Sequence, residues 1–263
     1  MFGKMKITKY IAAFFIAATL TACSTEEEEM LSGEGNLSIE FDNAFGDSDL
    51  ILNSTSYNSN LSEKINISSV KYIVSNFKLE TEEGAVFTYS KEESYFIVDE
   101  STISSQFINL KNIPTGNYTK MTFGIGVDQE KYLTGATGQG DFLTLAQDAG
   151  MMWSWQAGYK FVVFEGDYTS DNTATPTAFA FHMGSHGTAL DNYKEVTVNF
   201  TNSARIRTML TPEVHVVANV ANILTGTTNF MLDDAPQIHV DAVKSPQIAE
   251  NVNGMFSIDH VHN

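Results

Sequence analysis

Two short motifs concentrate the residues of this chain that are suited to metal chemistry. Residues 153–155 read Trp-Ser-Trp and hold both tryptophans, whereas residues 181–186 read Phe-His-Met-Gly-Ser-His. All six histidines lie at or after His182. Because imidazole is the commonest metal ligand in proteins, this distribution predicts a metal site built by the C-terminal half of the chain.

The same residues also have purely structural interpretations. On a strand, Trp153 and Trp155 would share one face and could be core aromatics. His182 would lie opposite Phe179 and Phe181, on a face of small residues. A capping or surface histidine would show the same pattern, so spacing alone leaves both interpretations open.

The other histidines have weaker local contexts. His215 lies in a valine-rich segment at a position that faces either inward or toward solvent, and residues 260–262 read His-Val-His near the C-terminus. His186 follows a turn that could return it toward His182. His239 lies in no recognisable motif.

The sequence contains a single cysteine, Cys23, at the end of a leader-like segment. Lysines precede a short apolar stretch that is too brief to span a bilayer permanently. Residues 20–23 read Leu-Thr-Ala-Cys, which resembles a bacterial lipobox. We therefore expect a signal peptide at residues 1–22, a lipidated Cys23 and an acidic linker through residue 35. The mature protein would have no free thiol, so a soft metal would need other ligands.

The formal net charge is −17, and removal of the leader lysines would make it more negative. Such acidity disfavours binding to nucleic acid, whose phosphates require basic side chains. Residues 184–187 differ from a G-x-S-x-G nucleophile motif. We therefore predict neither a nucleic-acid partner nor an enzyme.

Numerous short segments rich in β-branched and aromatic residues predict an all-β fold, an antiparallel β-sandwich of Greek-key type with long loops and a few short helices. The predicted strands are residues 36–41, 69–80, 85–89, 94–99, 118–127, 159–166, 177–183, 195–201, 205–210 and 213–220. Short helices are predicted at 143–148 and 221–224, and long loops at 42–64 and 135–150. One domain would span 36–240, followed by a C-terminal tail at 241–263.

Residues 150–161 and 179–185 together resemble the MbnP-like family, the methanobactin-associated periplasmic copper proteins and their relatives. Residues 72–79, 124–128 and 140–143 are also similar to family sequences. The W-x-W and F-x-F-H-x-G-S motifs are specific in combination, although neither is specific alone. The resemblance covers roughly residues 36–220.

This resemblance implies a β-rich domain that binds one Cu(I). It also implies a di-haem partner of the cytochrome c peroxidase/MauG type, similar to MbnH, which oxidises Trp153 to kynurenine. His182 falls at the histidine of the family motif. For a second histidine the order of preference is His215, then His186, then the pair His260 and His262.

Three further residues are expected to support such a site: Trp155, Met152 and Met183. The protein would then be an outer-membrane lipoprotein for copper storage, uptake or delivery, on the periplasmic face or the cell surface. The main alternative is a surface lipoprotein that binds glycan or protein through an exposed aromatic platform, without a metal. That platform would need both indoles open to solvent.

Overall fold

The computed structural model describes residues 31–263, and most of its regular structure is β-strand. The predicted signal peptide, Cys23 and the acidic residues after it lie outside the described residues. The strands are β1 (Glu34–Phe45), β2 (Ser48–Asp49), β3 (Ser56–Asn58), β4 (Lys64–Thr81), β5 (Val86–Thr88), β6 (Tyr95–Asp99), β7 (Phe107–Pro114), β8 (Gly116–Ile125), β9 (Met152–Ser154), β10 (Gly158–Thr169), β11 (Thr177–Gly184), β12 (Lys194–Ile206), β13 (Glu213–Asn219), β14 (Gln237–Ile238) and β15 (Phe256–His262). The α-helices are α1 (Gln129–Leu133), α2 (Gly135–Gly138), α3 (Gly140–Asp148) and α4 (Lys244–Asn253), and 3₁₀ turns occur at Lys91–Glu93, Ile103–Ser105 and Val220–Ile223.

The strands form two sheets, which confirms the predicted all-β sandwich. The smaller sheet has the order β15-β13-β1-β2, with β7 also paired to β1. The larger sheet follows the path β12-β8-β4-β10-β11-β14, with β3, β5 and β6 on β4 and β9 on β10. Two pairs, β1–β13 and β11–β14, are parallel, so the sandwich is not purely antiparallel as predicted.

Aromatic side chains from both sheets meet in the core. The ring of Phe41 on β1 lies 6.1 Å from that of Tyr72 on β4 and 5.6 Å from that of Phe123 on β8, centroid to centroid. Phe256 on β15 packs 5.2 Å from Phe123 in the same manner. These edge-to-face contacts place the apolar faces of the alternating strands against each other.

Several elements differ from the sequence prediction. Residues 195–201 lie within β12, whose pairing with β8 is irregular between Asn199 and Ala204. Of the predicted strand 205–210 only the first two residues belong to β12, and Arg207 and Leu210 form an isolated bridge beyond it. The predicted helix at 143–148 lies within α3, but α2 and the start of α3 make most of the rest of the predicted loop at 135–150 helical as well. β7 was not predicted, although Ile108 and Leu110 alternate with exposed residues there. Turn residues within these segments obscured the periodicity.

The segment described from sequence as a C-terminal tail forms α4 and β15. Helix α4 buries Ile248, Ala249 and Val252, and β15 pairs with β13 in the smaller sheet. Within residues 31–263, no helix has both the length and the apolar character needed to cross a membrane.

Asp128 connects the larger sheet to the helical segment that precedes β9. Its carboxylate caps α1 through the backbone N–H of Lys131 at 3.1 Å. It also accepts hydrogen bonds from Lys91 at 2.8 Å, Tyr95 at 2.6 Å and Asn76 at 2.8 Å. Burial opposes ionisation, but these hydrogen bonds lower the pKa of Asp128 to about 2.

Replacing Asp128 with asparagine is expected to lower the free energy of unfolding at pH 7 by about 2 kcal/mol, because charged hydrogen bonds are lost. The folded-state pKa lies below the ordinary value of 3.8, so this stabilisation is present above that value and is lost as the pH falls toward 2. The free energies of unfolding of the two proteins, measured in urea, should therefore converge in acid. The exposed Asp171→Asn is the control and should behave like wild type. A pH-independent difference for Asp128→Asn would contradict the carboxylate's role.

Candidate metal centre

Trp153 is held at the junction between α3 and the larger sheet. Gly150, with a φ of 72°, ends the helix, and the N–H of Met151 donates to the carbonyl of Ala146 at 2.8 Å. Strand β9 then pairs with the start of β10, opposite residues Gly158 and Tyr159. The indole is half-buried. Met151, two residues earlier, is fully buried in the core and anchors the chain.

His182 lies near the end of β11, on the face opposite the core phenylalanines. Phe179 and Phe181 are buried, Ala178 and Ala180 are more open, and this alternation agrees with the sequence. His182 itself is only 8% exposed. Neighbouring elements therefore cover the histidine.

His239 provides the second imidazole beside His182, and sequence reasoning did not select it. Strand β14 pairs in parallel with β11, with Ala180 opposite Gln237 and Phe181 opposite Ile238. One step further along this register brings His239 beside His182, with ring centroids 4.5 Å apart. Because this pairing joins distant segments, no local signal could have identified the residue.

The three rings lie next to one another, with His239 on the exposed side. The centroid of Trp153 lies 5.9 Å from that of His182 and 6.3 Å from that of His239. The ammonium of Lys160 lies 5.3 Å from the centroid of the indole, in a cation–π contact. We call Trp153, His182 and His239 the indole–imidazole site.

Two nitrogens of this site are buried without a hydrogen-bond partner. Nε2 of His182 lies 2.5 Å from the carboxylate of Glu165, so it carries the proton of the neutral ring. Nδ1 then carries the lone pair, and it is buried and unpartnered, as is Nε1 of Trp153. A carboxylate that orients a histidine in this way is typical of metal sites.

Burial lowers the pKa of His182, and the positive charge of Lys160 acts in the same direction, against the raising effect of Glu165. The ring is thus neutral at neutral pH, which is the form that binds metals. Neutral imidazole nitrogens suit copper, zinc and related ions.

The supporting residues predicted from sequence occupy different environments. Trp155 is 42% exposed and lies in a turn beyond β9, so it does not share a strand face with Trp153. Met183 follows the phenylalanines on the core face and is fully buried. Met152 is partly buried against the core. The two methionines are therefore packing residues, whereas Trp155 is not.

The other predicted ligands lie elsewhere. His186 is exposed, and its backbone N–H donates to the carbonyl of Leu190 at 2.9 Å in a short turn. His215, His260 and His262 lie together on β13 and β15 of the smaller sheet. The sequence ranks these residues as alternatives for one second ligand, whereas the structure places His186 in this turn and the other three together on the smaller sheet.

The fold and this site define a β-sandwich protein in which a half-buried tryptophan lies beside two histidines. The MbnP family model matches residues 34–240, and the chain belongs to the MbnP family. The solved structure of MbnP from Methylosinus trichosporium is similar, with 12% identity and a TM-score of 0.46 over 80% of this chain and 82% of that chain. Comparison with curated proteins gives no significant match.

The upstream segments that resemble the family meet in space. Asn76, which adopts a φ of 52°, bonds Asp128, and the hydroxyl of Ser75 donates to the carbonyl of Gly126 at 2.7 Å. These residues join β4 to the segment after β8. Their role is structural, since they fix the start of the helical segment that leads to Trp153.

Proposed function

We propose that this protein binds one copper ion, as Cu(I), at the indole–imidazole site. The supporting observation is the buried Nδ1 of His182, which has a lone pair, no hydrogen-bond partner and a second imidazole 4.5 Å away between ring centroids. A buried acceptor without a partner is costly unless a ligand satisfies it. Membership of the MbnP family supports copper as that ligand.

Trp153 would contribute as kynurenine. An intact indole has only an N–H donor and offers no lone pair to a metal. Kynurenine carries an aniline nitrogen and a carbonyl oxygen, and the described chain has no cysteine that could otherwise supply a soft ligand. Opening the ring beside His182 and His239 would therefore complete the ligand set.

The oxidation would be carried out by a separate di-haem enzyme of the cytochrome c peroxidase/MauG type. Two equivalents of hydrogen peroxide would insert two oxygen atoms across the C2–C3 bond of the pyrrole ring and leave as two waters. Hydrolysis of the resulting formyl group would then release formate. The net change replaces one carbon by one oxygen, a mass gain of about 4 Da.

The protein itself would not be an enzyme, since its part is to bind and hand on the ion. Lipidation at Cys23 would anchor it to the outer membrane, on either the periplasmic or the outer face. In that position it would store, take up or deliver copper. The acidity of the chain is compatible with cation capture at such a location.

Binding of a glycan to an aromatic platform is less well supported. A platform needs both indoles on one open face, whereas Trp153 is half-buried and its Nε1 has no solvent access. Only Trp155 is open, at 42% exposure. A single exposed indole provides little stacking area for a sugar chain.

The proposed function is tested by co-expressing the protein with its di-haem partner, followed by intact mass and metal analysis. We expect a gain of about 4 Da on the peptide that contains Trp153, and one equivalent of copper retained after dialysis. The variant Trp153→Phe should show neither. The matched control Trp155→Phe should keep both, because that indole lies outside the site. An unmodified Trp153 and no retained copper beside an active partner would refute the proposal.

A further inference from the structure

The smaller sheet carries a second group of potential metal ligands on a different face of the molecule. We call His215, His260 and His262 the three-histidine cluster. Each ring offers one nitrogen, and these nitrogens all lie within 4.8 Å of one another. The cluster is independent of Trp153, because β13 and β15 belong to the smaller sheet and β9, β11 and β14 to the larger assembly around β10.

Strand register brings the cluster together. His215 on β13 lies opposite His260 on β15, and Glu213 lies opposite His262. On the other side of β13, Glu40 on β1 pairs with His215. Directly opposed residues point to the same face of a sheet, so these five side chains share one surface.

A β-bulge in β15 orients its two histidines. The pairing passes from His215–His260 to Val216–Ile258, so Asp259 is the extra residue on β15. Bulges turn a strand locally and redirect its side chains, and they are common beside binding sites. The ring centroids of His260 and His262 lie 4.5 Å apart, and His260 stacks on His215 at 4.1 Å.

Carboxylates fix which nitrogen of each ring carries the proton. Nδ1 of His215 contacts Glu40, and Nδ1 of His260 lies 2.7 Å from the carboxylate of Asp259. An ionised carboxylate only accepts hydrogen bonds, so both Nδ1 atoms are protonated. In the neutral rings the lone pairs are then on Nε2, as in the carboxylate–histidine pairs of metal sites.

One of these lone pairs faces an acceptor, and the other accepts a hydrogen bond from a neighbouring imidazole whose proton a metal ion would replace. Nε2 of His215 is buried without a hydrogen-bond partner, although it lies 3.1 Å from an oxygen of Glu213. Nε2 of His260 lies 2.9 Å from Nε2 of His262. A cation between these groups would satisfy several acceptors at once, and Glu213 would add an oxygen to three nitrogens.

We propose that the three-histidine cluster, with Glu213 as a fourth ligand, binds a divalent late transition-metal ion of the Zn(II) or Cu(II) class. Imidazole and carboxylate ligands suit these ions, and a tetrahedral site with bonds of about 2 Å places its ligands about 3.3 Å apart. The three ring nitrogens lie within 4.8 Å of one another and an oxygen of Glu213 lies 3.1 Å from Nε2 of His215, so side-chain rotations suffice to close the site. Bound metal would fasten β15, the terminal strand of its sheet, to β13.

Zinc titration tests the cluster in a protein whose first site has been removed. We would use the triple variant Trp153→Phe, His182→Ala, His239→Ala, stripped of metal by a chelator and titrated with zinc chloride by calorimetry. We expect one equivalent to bind. Because this background lacks the indole–imidazole site, the result does not depend on the proposed copper function.

Adding His260→Ala or His262→Ala to that background should weaken zinc binding at least about 100-fold, more than the loss of an outer hydrogen bond. Adding the exposed His186→Ala is the matched control and should leave binding unchanged. Zinc at a hundred times its Kd should also raise Tm by about 5 °C or more, only while the cluster is intact. Zinc binding that survives both cluster substitutions, or that falls equally with His186→Ala, would overturn the proposal.

Discussion

Replacing His239 with alanine is expected to lower the copper affinity of the modified protein at least about 100-fold, as much as replacing His182. Both imidazoles belong to the indole–imidazole site, with ring centroids 4.5 Å apart and 6.3 Å or less from that of Trp153. Loss of either ring would leave copper with too few nitrogen ligands. Competition with a Cu(I) chelator measures the change.

Matched variants separate ligand loss from general disturbance. Glu165→Gln keeps the shape of the hydrogen-bond partner of His182 but removes its charge, and it should lower the copper affinity by about 10- to 100-fold. His186→Ala, at an exposed histidine outside both proposed sites, should leave the affinity unchanged. If His215→Ala removes copper and His239→Ala does not, the ligand assignment is wrong even though copper binding stands.

Replacing Gly184 with alanine is expected to destabilise the fold by about 3 kcal/mol, at the upper end for overpacking. A Cβ atom there would lie 2.2 Å from the carbonyl oxygen of Tyr159 and 2.9 Å from Cα of Lys160. Both are backbone atoms of the paired strand β10, which is irregular between Lys160 and Val162. The strands cannot separate locally without disturbing His182.

Thermal unfolding measures this effect. For a domain of this size, about 3 kcal/mol corresponds to a fall in Tm of about 6–12 °C. Gly254→Ala is the matched control, since the nearest atom to its added Cβ lies 3.6 Å away and its φ is −87°. Equal Tm values for Gly184→Ala and wild type would show that β10 and β11 move apart at little cost and that Gly184 has another role in the motif.

The β-sandwich could be predicted because the alternation of side chains along a strand is a local feature of the sequence. Alternation such as that of Phe179 and Phe181 against Ala180 depends only on the two-residue period of a strand. Of the helical segment before Trp153 only residues 143–148 were predicted as helix, since the glycines around α2 are typical of a loop. Trp153 and His182, from the two motifs singled out in the sequence, lie beside each other in the structure.

The ligand sets depended on contacts between distant parts of the chain. From the sequence, His215 is the first choice for the second histidine, ahead of His186 and the pair His260 and His262. The parallel pairing of β14 with β11 brings His239 to that position instead. Such pairing between segments is set by the tertiary fold, and no spacing in the sequence encodes it.

The sequence alone determined the residue types available for chemistry: two tryptophans in one motif, six histidines in the last third, and no cysteine beyond Cys23. It also determined the strand character of the domain and its likeness to MbnP. Only the tertiary structure decided that the histidines divide between two sheets. The physical reason is that strand register, a long-range property, determines which side chains share a face and which nitrogens lie near enough to bind one ion.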